Sequence, residues 1–498
     1  MDGWENFRKN WLWFEEFGFG LDLSGAQRKS KIDANAELAA FRAMEDLEGG
    51  AIANGSENRR VGHYWLRAPE LAPERSIGDE IVRTLERVKA FAADVRSGKI
   101  RTEAGPFSDL LCIGIGGSAL GAQLLIGALG GDNLQVHFFD NTDPDGFRIT
   151  LDKIGHRLER TLVIVTSKSG STPEPRNGLA AVEEEMDKAG LRLGKRAVAV
   201  TCSGSELDRR AEDESWLGRF PMWDWVGGRT SVTSAVGLLP AALSAIDVDE
   251  FLAGAAAMDR LTRNVENNPA MGLAKACYDL SGGGPAAAMV VIPYCDRLCH
   301  ISRYLQQLAM ESLGKKLSRS GQELSGGLTV YGNRGSTDQH SYVQQLRDGL
   351  KNFFVVFIEV LSGREPRRTK AMKNAGNYLE GFYLGTKAAL AEAGRPSITI
   401  TLRQITAHSV GMLVALFERT VGFYGEFTDV NAYDQPGVEA GKKAADRLLA
   451  LLDELKLFLE KKNMSPNGND AEAIAAAMGR PKDVEMLFKW LEFLRAQP

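Results

Sequence analysis

The feature that most constrains this chain is a repeated local pattern in which a short apolar run ends in a glycine- and hydroxyl-rich loop and helix-forming sequence comes directly after it. LLCI leads into GIGGSA at Gly114 to Ala119, and TLVIV leads into SKSGST at Ser167 to Thr172. With QVHFF and RAVAVT beside them, these runs have the near-continuous apolar character of strands buried on both faces of a parallel sheet, joined by helical crossovers. The pattern predicts a doubly wound α/β domain. A strand that turns into a helix through glycines presents backbone N–H groups where the helix dipole is positive, so each loop is a candidate anion site. Ser167, Ser169, Ser171 and Thr172 add hydroxyl donors without the fixed charge that nucleotide hydrolysis requires. A small phosphorylated ligand is expected.

The design recurs further along, where AAMVVIP, LTVYG and KNFFVVFIEV predict a second α/β domain. The spacing predicts a helical N-terminal segment over 1–100, the first α/β domain over 101–245, a helical connector over 246–285, the second α/β domain over 286–435 and a helical C-terminal segment over 436–498. Within the first of these, Ile77, Ile81, Val82, Leu85 and Val88 recur at helical spacing. With 60 basic and 65 acidic side chains and a net charge of -5, the chain lacks the global field that nucleic acid or an anionic membrane surface would need. FFVVFIEVL is cut by Glu359 and PAAAMVVIP is bounded by prolines, so no stretch approaches the ~18 unbroken apolar residues of a membrane span. Five scattered cysteines and a start without a signal-like leader predict a soluble protein of a reduced, cytoplasmic setting.

Several motifs carry competing meanings. GIGGSALG also satisfies the dinucleotide pattern G-x-G-x-x-A, and Asp140 ends the next apolar run where such folds place an acidic residue. The loop alone leaves a dinucleotide, a sugar phosphate or a plain tight turn open. SKSGST favours the sugar phosphate, because a dinucleotide fold needs no second hydroxyl-rich phosphate loop. Lys168 imitates the lysine of a nucleotide-binding P-loop, but the spacing G-x-x-x-x-G-K-[ST] is missing. In RYLQQLAMESLGKK, Leu305, Leu308, Ala309 and Leu313 fall on one helical face and Gln307 and Glu311 on the other, so periodicity alone makes Glu311 an ordinary solvated carboxylate. His340, in GNRGSTDQHSY, comes after the LTVYG strand where open α/β sheets bind ligands, and imidazole suits proton transfer near neutrality. Arg229 stands after two glycines in GGRTS, which allow close approach to a ligand; its plain alternative is a surface turn. Cys295, Cys299 and His300 lack a second ligand pair for zinc and read as structural thiols.

Taken in order, GIGGSALG, SKSGSTPE, GGRTSVTSAVGLLP, YLQQLAMESLGKK, GSTDQHSYVQQLRDG and NAYDQPGVEAGKKAA resemble the phosphoglucose isomerase family across most of the chain. The wording ESLGK and GSTDQH is similar to the branch found in cyanobacteria and plastids, whereas many other members have ESNGK and SKTFTT. The resemblance implies two sugar isomerase domains, a homodimer, no metal or other cofactor, and interconversion of glucose 6-phosphate and fructose 6-phosphate through a cis-enediol. It implies Glu311 as the base and His340, reaching from the neighbouring subunit, as an aid to ring opening. Lys442 takes a similar role at the ring oxygen, and Arg229 stabilises the enediolate. Gly117, Ser118, Ser167, Ser169 and Thr172 match the sugar- and phosphate-holding positions, and Gln307 and Gln435 match substrate-contacting glutamines. A sugar-phosphate-sensing module and an NAD-dependent oxidoreductase are the alternatives from other functional classes.

Overall fold

The computed structural model describes residues 3–26, 30–131, 133–281, 287–324, 326–363, 369–467 and 470–497. It divides into two compact units, Met1–Asp434 and Gln435–Pro498.

The first unit begins with an unexpected element. Where a helical segment was predicted, Gly3–Asn10 gives way to a hairpin of β1 (Trp11–Phe14) and β2 (Phe19–Asp22). The β-forming run WLWF accounts for the strand, and Gly18, at φ 57°, supplies the left-handed turn residue that leads into β2. The rest of the segment is helical, chiefly Ala34–Glu48 and Arg75–Arg96. Ile81 and Val88 of the second helix are buried as their spacing requires, while Val82 is exposed.

The first sheet consists of β3 (Asp109–Ile113), β4 (Gln135–Phe139), β5 (Thr161–Thr166), β6 (Ala197–Thr201) and β7 (Gly218–Pro221), all parallel, in the order β4-β3-β5-β6-β7. β3, β5 and β6 are buried along their whole length, as their unbroken apolar sequences demand, and QVHFF lies half-covered at the edge. In register, Ile113 pairs with Phe139 on one side and Val165 on the other, so the loops after β3 and β5 emerge level with each other.

The second sheet contains β8 (Ala288–Pro293), β9 (Thr329–Tyr331), β10 (Phe353–Ser362) and β11 (Ser397–Gln404), mutually parallel, and β11 also takes the N-terminal hairpin in antiparallel fashion. The N-terminal segment is therefore part of this sheet. One hydrophobic core joins residues of both sheets, and the helix Ala407–Phe427 is buried from Ser409 to Gly425, as a helix apolar on every side must be. Among the described residues no helix is long and apolar enough to cross a membrane. In the second unit, the helices Pro436–Lys461, Ala471–Ala477 and Val484–Arg495 pack around Leu455, Ile474, Leu487 and Leu491.

Candidate active site

The order β4-β3-β5 means that the chain leaves β3 towards one side of the sheet and returns to the other side for β5. The crevice beyond the carboxyl ends of β3 and β5 is the topological switch point, where open α/β sheets bind ligands. GIGGSA and SKSGST are the loops that border it.

After β3, Gly116 turns left-handed at φ 57°, Gly116–Ser118 make a single 3-10 turn, and the helix Leu120–Leu129 comes next. After β5, Ser167 is buried and its Oγ accepts from the Gly170 N–H at 3.1 Å; Ser169 Oγ accepts from the Ser171 N–H and lies 2.8 Å from Ser171 Oγ. Thr172 caps the helix Pro173–Lys188 without using its side chain as a cap. The expectation of a helix N-terminus rich in free N–H groups needs correction here. Pro173 and Pro175 have no amide hydrogen, which leaves Glu174 as the donor of the first helical positions. An anion at this loop would therefore meet hydroxyls more than helix amides. Lys168 is half-buried; burial pulls its pKa down, Cys202, Asp224 and Glu57 favour its charge, and Arg59 opposes it.

GGRTS is no surface turn. A Cβ on Gly117 would lie 2.1 Å from the carbonyl oxygen of Gly228, so the two glycine loops touch backbone to backbone, and only glycine fits. Ser231 Oγ bonds the carbonyls of Gly228 (2.7 Å) and Gly117 (3.2 Å), fastening the contact. This holds Arg229, 5% exposed, beside GIGGSA. Its Nη1 donates to Ser312 Oγ and to the Ala432 carbonyl, each at 3.0 Å, and its Nη2 donates to the Asp434 carbonyl at 2.8 Å. Its Nε lies 3.1 Å from Glu311 Oε2. Burial lowers the Arg229 pKa, and the nearby charges of Glu311, Asp434 and Glu57 oppose that shift.

Glu311 departs from its predicted setting. The α-helix stops at Leu305, and Gln306–Glu311 form a π-helical turn, a geometry found mostly at functional sites. The Glu311 side chain is 19% exposed and sits against a buried guanidinium, so it is not an ordinary solvated carboxylate. Gln307, earlier in the turn, lies with Nε2 3.1 Å from where a Cβ of Gly116 would be, against the GIGGSA loop. Ser118 and Gly117 belong to that loop, so the structure brings together Gly117, Ser118, Gln307, Arg229 and Glu311.

The remaining candidates are described each in its own element. His340 is exposed, in a 3-10 turn after β9. Its loop is anchored by the buried Asp338, whose Oδ2 accepts from the Asn333 and Arg334 N–H groups at 3.0 Å and from the Tyr342 hydroxyl at 2.5 Å. Gln435 caps the helix Pro436–Lys461 of the second unit, and Lys442 is exposed on that helix. Asp140 accepts from Gln123 Nε2 at 2.8 Å, which gives it a structural partner. Cys295, Cys299 and His300 are half-buried, and among the described residues no group of three or more His, Cys, Asp or Glu is placed to hold a metal ion. Sequence reasoning missed Ser312, Lys315 and Asp434, which surround Arg229 and the π turn. The GK after ESL and the DQP turn carried no distinctive spacing.

The switch-point crevice, the hydroxyl loop and the buried arginine beside a reachable carboxylate define a two-sheet α/β protein suited to a small anionic polyol. The family model described as phosphoglucose isomerase matches residues 26–392 and 350–468, and the chain belongs to that family. A glucose-6-phosphate isomerase of Geobacter sp. (strain M21) is 55% identical over 92% of this chain and 87% of its own length. Glucose-6-phosphate isomerase 1, chloroplastic, of Arabidopsis thaliana is 48% identical over 97% of this chain and 82% of its own. The crystal structure of a glucose-6-phosphate isomerase from Chlamydia trachomatis superposes with a TM-score of 0.78 at 28% identity, covering 92% of this chain and 94% of that one.

Proposed function

We propose that the chain interconverts glucose 6-phosphate and fructose 6-phosphate with Glu311 as the base. The observation that carries this reading is the Glu311 carboxylate held 3.1 Å from the Nε of a buried arginine, on a turn that packs against the switch-point loop GIGGSA. An aldose-to-ketose shift requires one carboxylate to take a proton from C2 and return it to C1, and a fixed cation near the enediolate oxygens. Arg229 is immobilised by Ser312, Ala432 and Asp434, so its charge is already oriented before substrate arrives. The shift is internally redox-balanced, which means that the chemistry asks for no external electron carrier.

Ser167, Ser169 and Thr172 hold the phosphate, and Gly117 and Ser118 form the adjoining wall. That assignment is supported by the prolines that thin out the helix amides, since they leave the hydroxyls as the chief donors. Gln307 and Gln435 contact the sugar hydroxyls. His340 assists ring opening across a homodimer interface, an assignment supported by its exposure on a firmly anchored loop; Lys442 acts at the ring oxygen. A cytoplasmic location fits the five unpaired thiols.

A coupled assay for glucose 6-phosphate formed from fructose 6-phosphate, with a chelator present, tests the activity. Turnover that survives the chelator is the expected result. Tight fructose 6-phosphate binding without turnover would favour a sugar-phosphate sensor, and saturable NADH binding a dehydrogenase.

A further inference from the structure

We propose that Lys315 is a positioning residue for the base, an inference that rests on Glu311 having that role. The helix carrying Glu311 unwinds just beyond it: the Gly314 N–H returns to the Met310 carbonyl at 3.0 Å, but the Lys315 N–H bonds the Leu313 carbonyl, also at 3.0 Å. The Glu311 carbonyl thereby loses the amide an α-helix would give it. The Lys315 side chain replaces that donor, with Nζ 2.9 Å from the Glu311 carbonyl oxygen. The same ammonium donates to the Asp434 carbonyl at 2.6 Å and lies 2.8 Å from Asp434 Oδ1. Two of the ammonium's three hydrogens go to these main-chain carbonyls, and its charge is paired with the Asp434 carboxylate. Lys315 is only 9% exposed.

Asp434 closes the arrangement. Its carbonyl also accepts from Arg229 Nη2, and its Oδ2 accepts from Ser56 Oγ at 2.6 Å. The backbone of the base, the guanidinium beside it and residues 432–434 are therefore registered on one buried ammonium. Lys315 sets where the Glu311 carboxylate stands relative to Arg229, acting through Glu311 and Asp434. Burial lowers its pKa and Asp434 opposes the shift, as expected of a cation kept for its partners.

The test is steady-state kinetics of K315M, D434N and the K315M/D434N double variant, with deuterium exchange at C2 alongside. Misplacing a catalytic group by about 1 Å costs on the order of 100-fold, so K315M should lose roughly 10- to 100-fold in kcat. The KM for fructose 6-phosphate should stay within about threefold, because no substrate contact is removed, and the isotope effect with C2-deuterated glucose 6-phosphate should rise as proton transfer becomes limiting. The double variant should be no slower than K315M, since both substitutions break the same link. It also leaves no unpaired buried charge, so it supplies the kinetics if K315M alone does not fold. Unchanged kcat and isotope effect in the folded variant, or a rise confined to KM, would overturn the proposal. Failure of the base assignment looks different: E311Q would then still exchange the C2 hydrogen at the unmodified rate.

Discussion

Two clusters of buried arginine and carboxylate among the described residues differ in how fully their groups are paired. In the first, Arg67 donates from Nε and Nη2 to the two oxygens of Asp259 (2.6 and 3.0 Å) and from Nη1 to Glu418 at 2.5 Å, with all of these side chains fully buried. Arg419 extends the network to Asp259 and Glu48, and the Tyr304 hydroxyl reaches Glu418. These groups answer one another. Around Arg229 the guanidinium is equally buried, but its Nη groups go to a serine and to main-chain carbonyls, and its carboxylate neighbour keeps a reachable edge. A closed network ties together the turn His63–Arg67 and the helices Val248–Thr262 and Ala407–Phe427. An open one leaves a carboxylate edge within reach of solvent, as the proposed base requires.

The contrast can be broken from either side. The largest effect is expected from Glu311→Gln, which keeps the shape and removes the base: kcat should fall by about 10² to 10⁴, and C2 deuterium exchange should vanish while fructose 6-phosphate still binds. Near-normal exchange would remove Glu311 from the role. Arg67→Met should act on stability, costing about 3–5 kcal/mol because Glu418 is left with only a tyrosine hydroxyl; denaturant unfolding measures this, and kcat per folded molecule should be retained. A kinetic defect at full stability would mean that the two clusters are not distinct. Arg229→Lys retains charge but not the fork that grips Ser312, Ala432 and Asp434, so a loss of roughly 10²-fold in kcat/KM is expected from progress curves.

The smallest effect sharpens the first cluster through pH. His63 is buried with neither ring nitrogen hydrogen-bonded, and burial, helped by Arg67, holds its pKa well below 6.5. Below that value the unfolded chain takes up a proton that the folded chain refuses, so stability falls as pH falls, by up to about 1.4 kcal/mol per pH unit. Glu418, pushed up to about 6 by burial, works in the opposite direction between there and its ordinary value. His63→Gln removes the first contribution and leaves the second. Urea unfolding of both chains between about pH 7 and about pH 5 should therefore show the unmodified chain losing ground to the variant, and a constant difference would mean that His63 is not held neutral.

The sequence made legible what is local. GIGGSA and SKSGST stand out because glycines and hydroxyls gather where an apolar run ends, and LLCI, TLVIV and RAVAVT are strands because both faces are covered. The hairpin at Trp11–Asp22 was hidden by the helical stretches around it; its strands exist because β11 offers an edge nearly four hundred residues later. Arg229 looked like a turn and Glu311 like a surface residue because the groups around them, Ser312, Ala432, Asp434 and each other, come from distant parts of the chain that no period links. Lys315 was harder still, since its meaning depends on where one helix stops and on the backbone of Asp434.

The widened turn at Gln306–Glu311 affects how any chain like this one is counted. It takes up one residue more than an unbroken α-helix would, so residues beyond the widening sit about 100° behind the phase that strict α spacing assigns. Within the turn Met310 is 42% exposed, while the Glu311 side chain is 19% exposed and lies against Arg229. A helical wheel drawn straight through this segment accumulates that error just before the carboxylate. The carboxylate that lies against a buried guanidinium is then the one the wheel turns towards solvent.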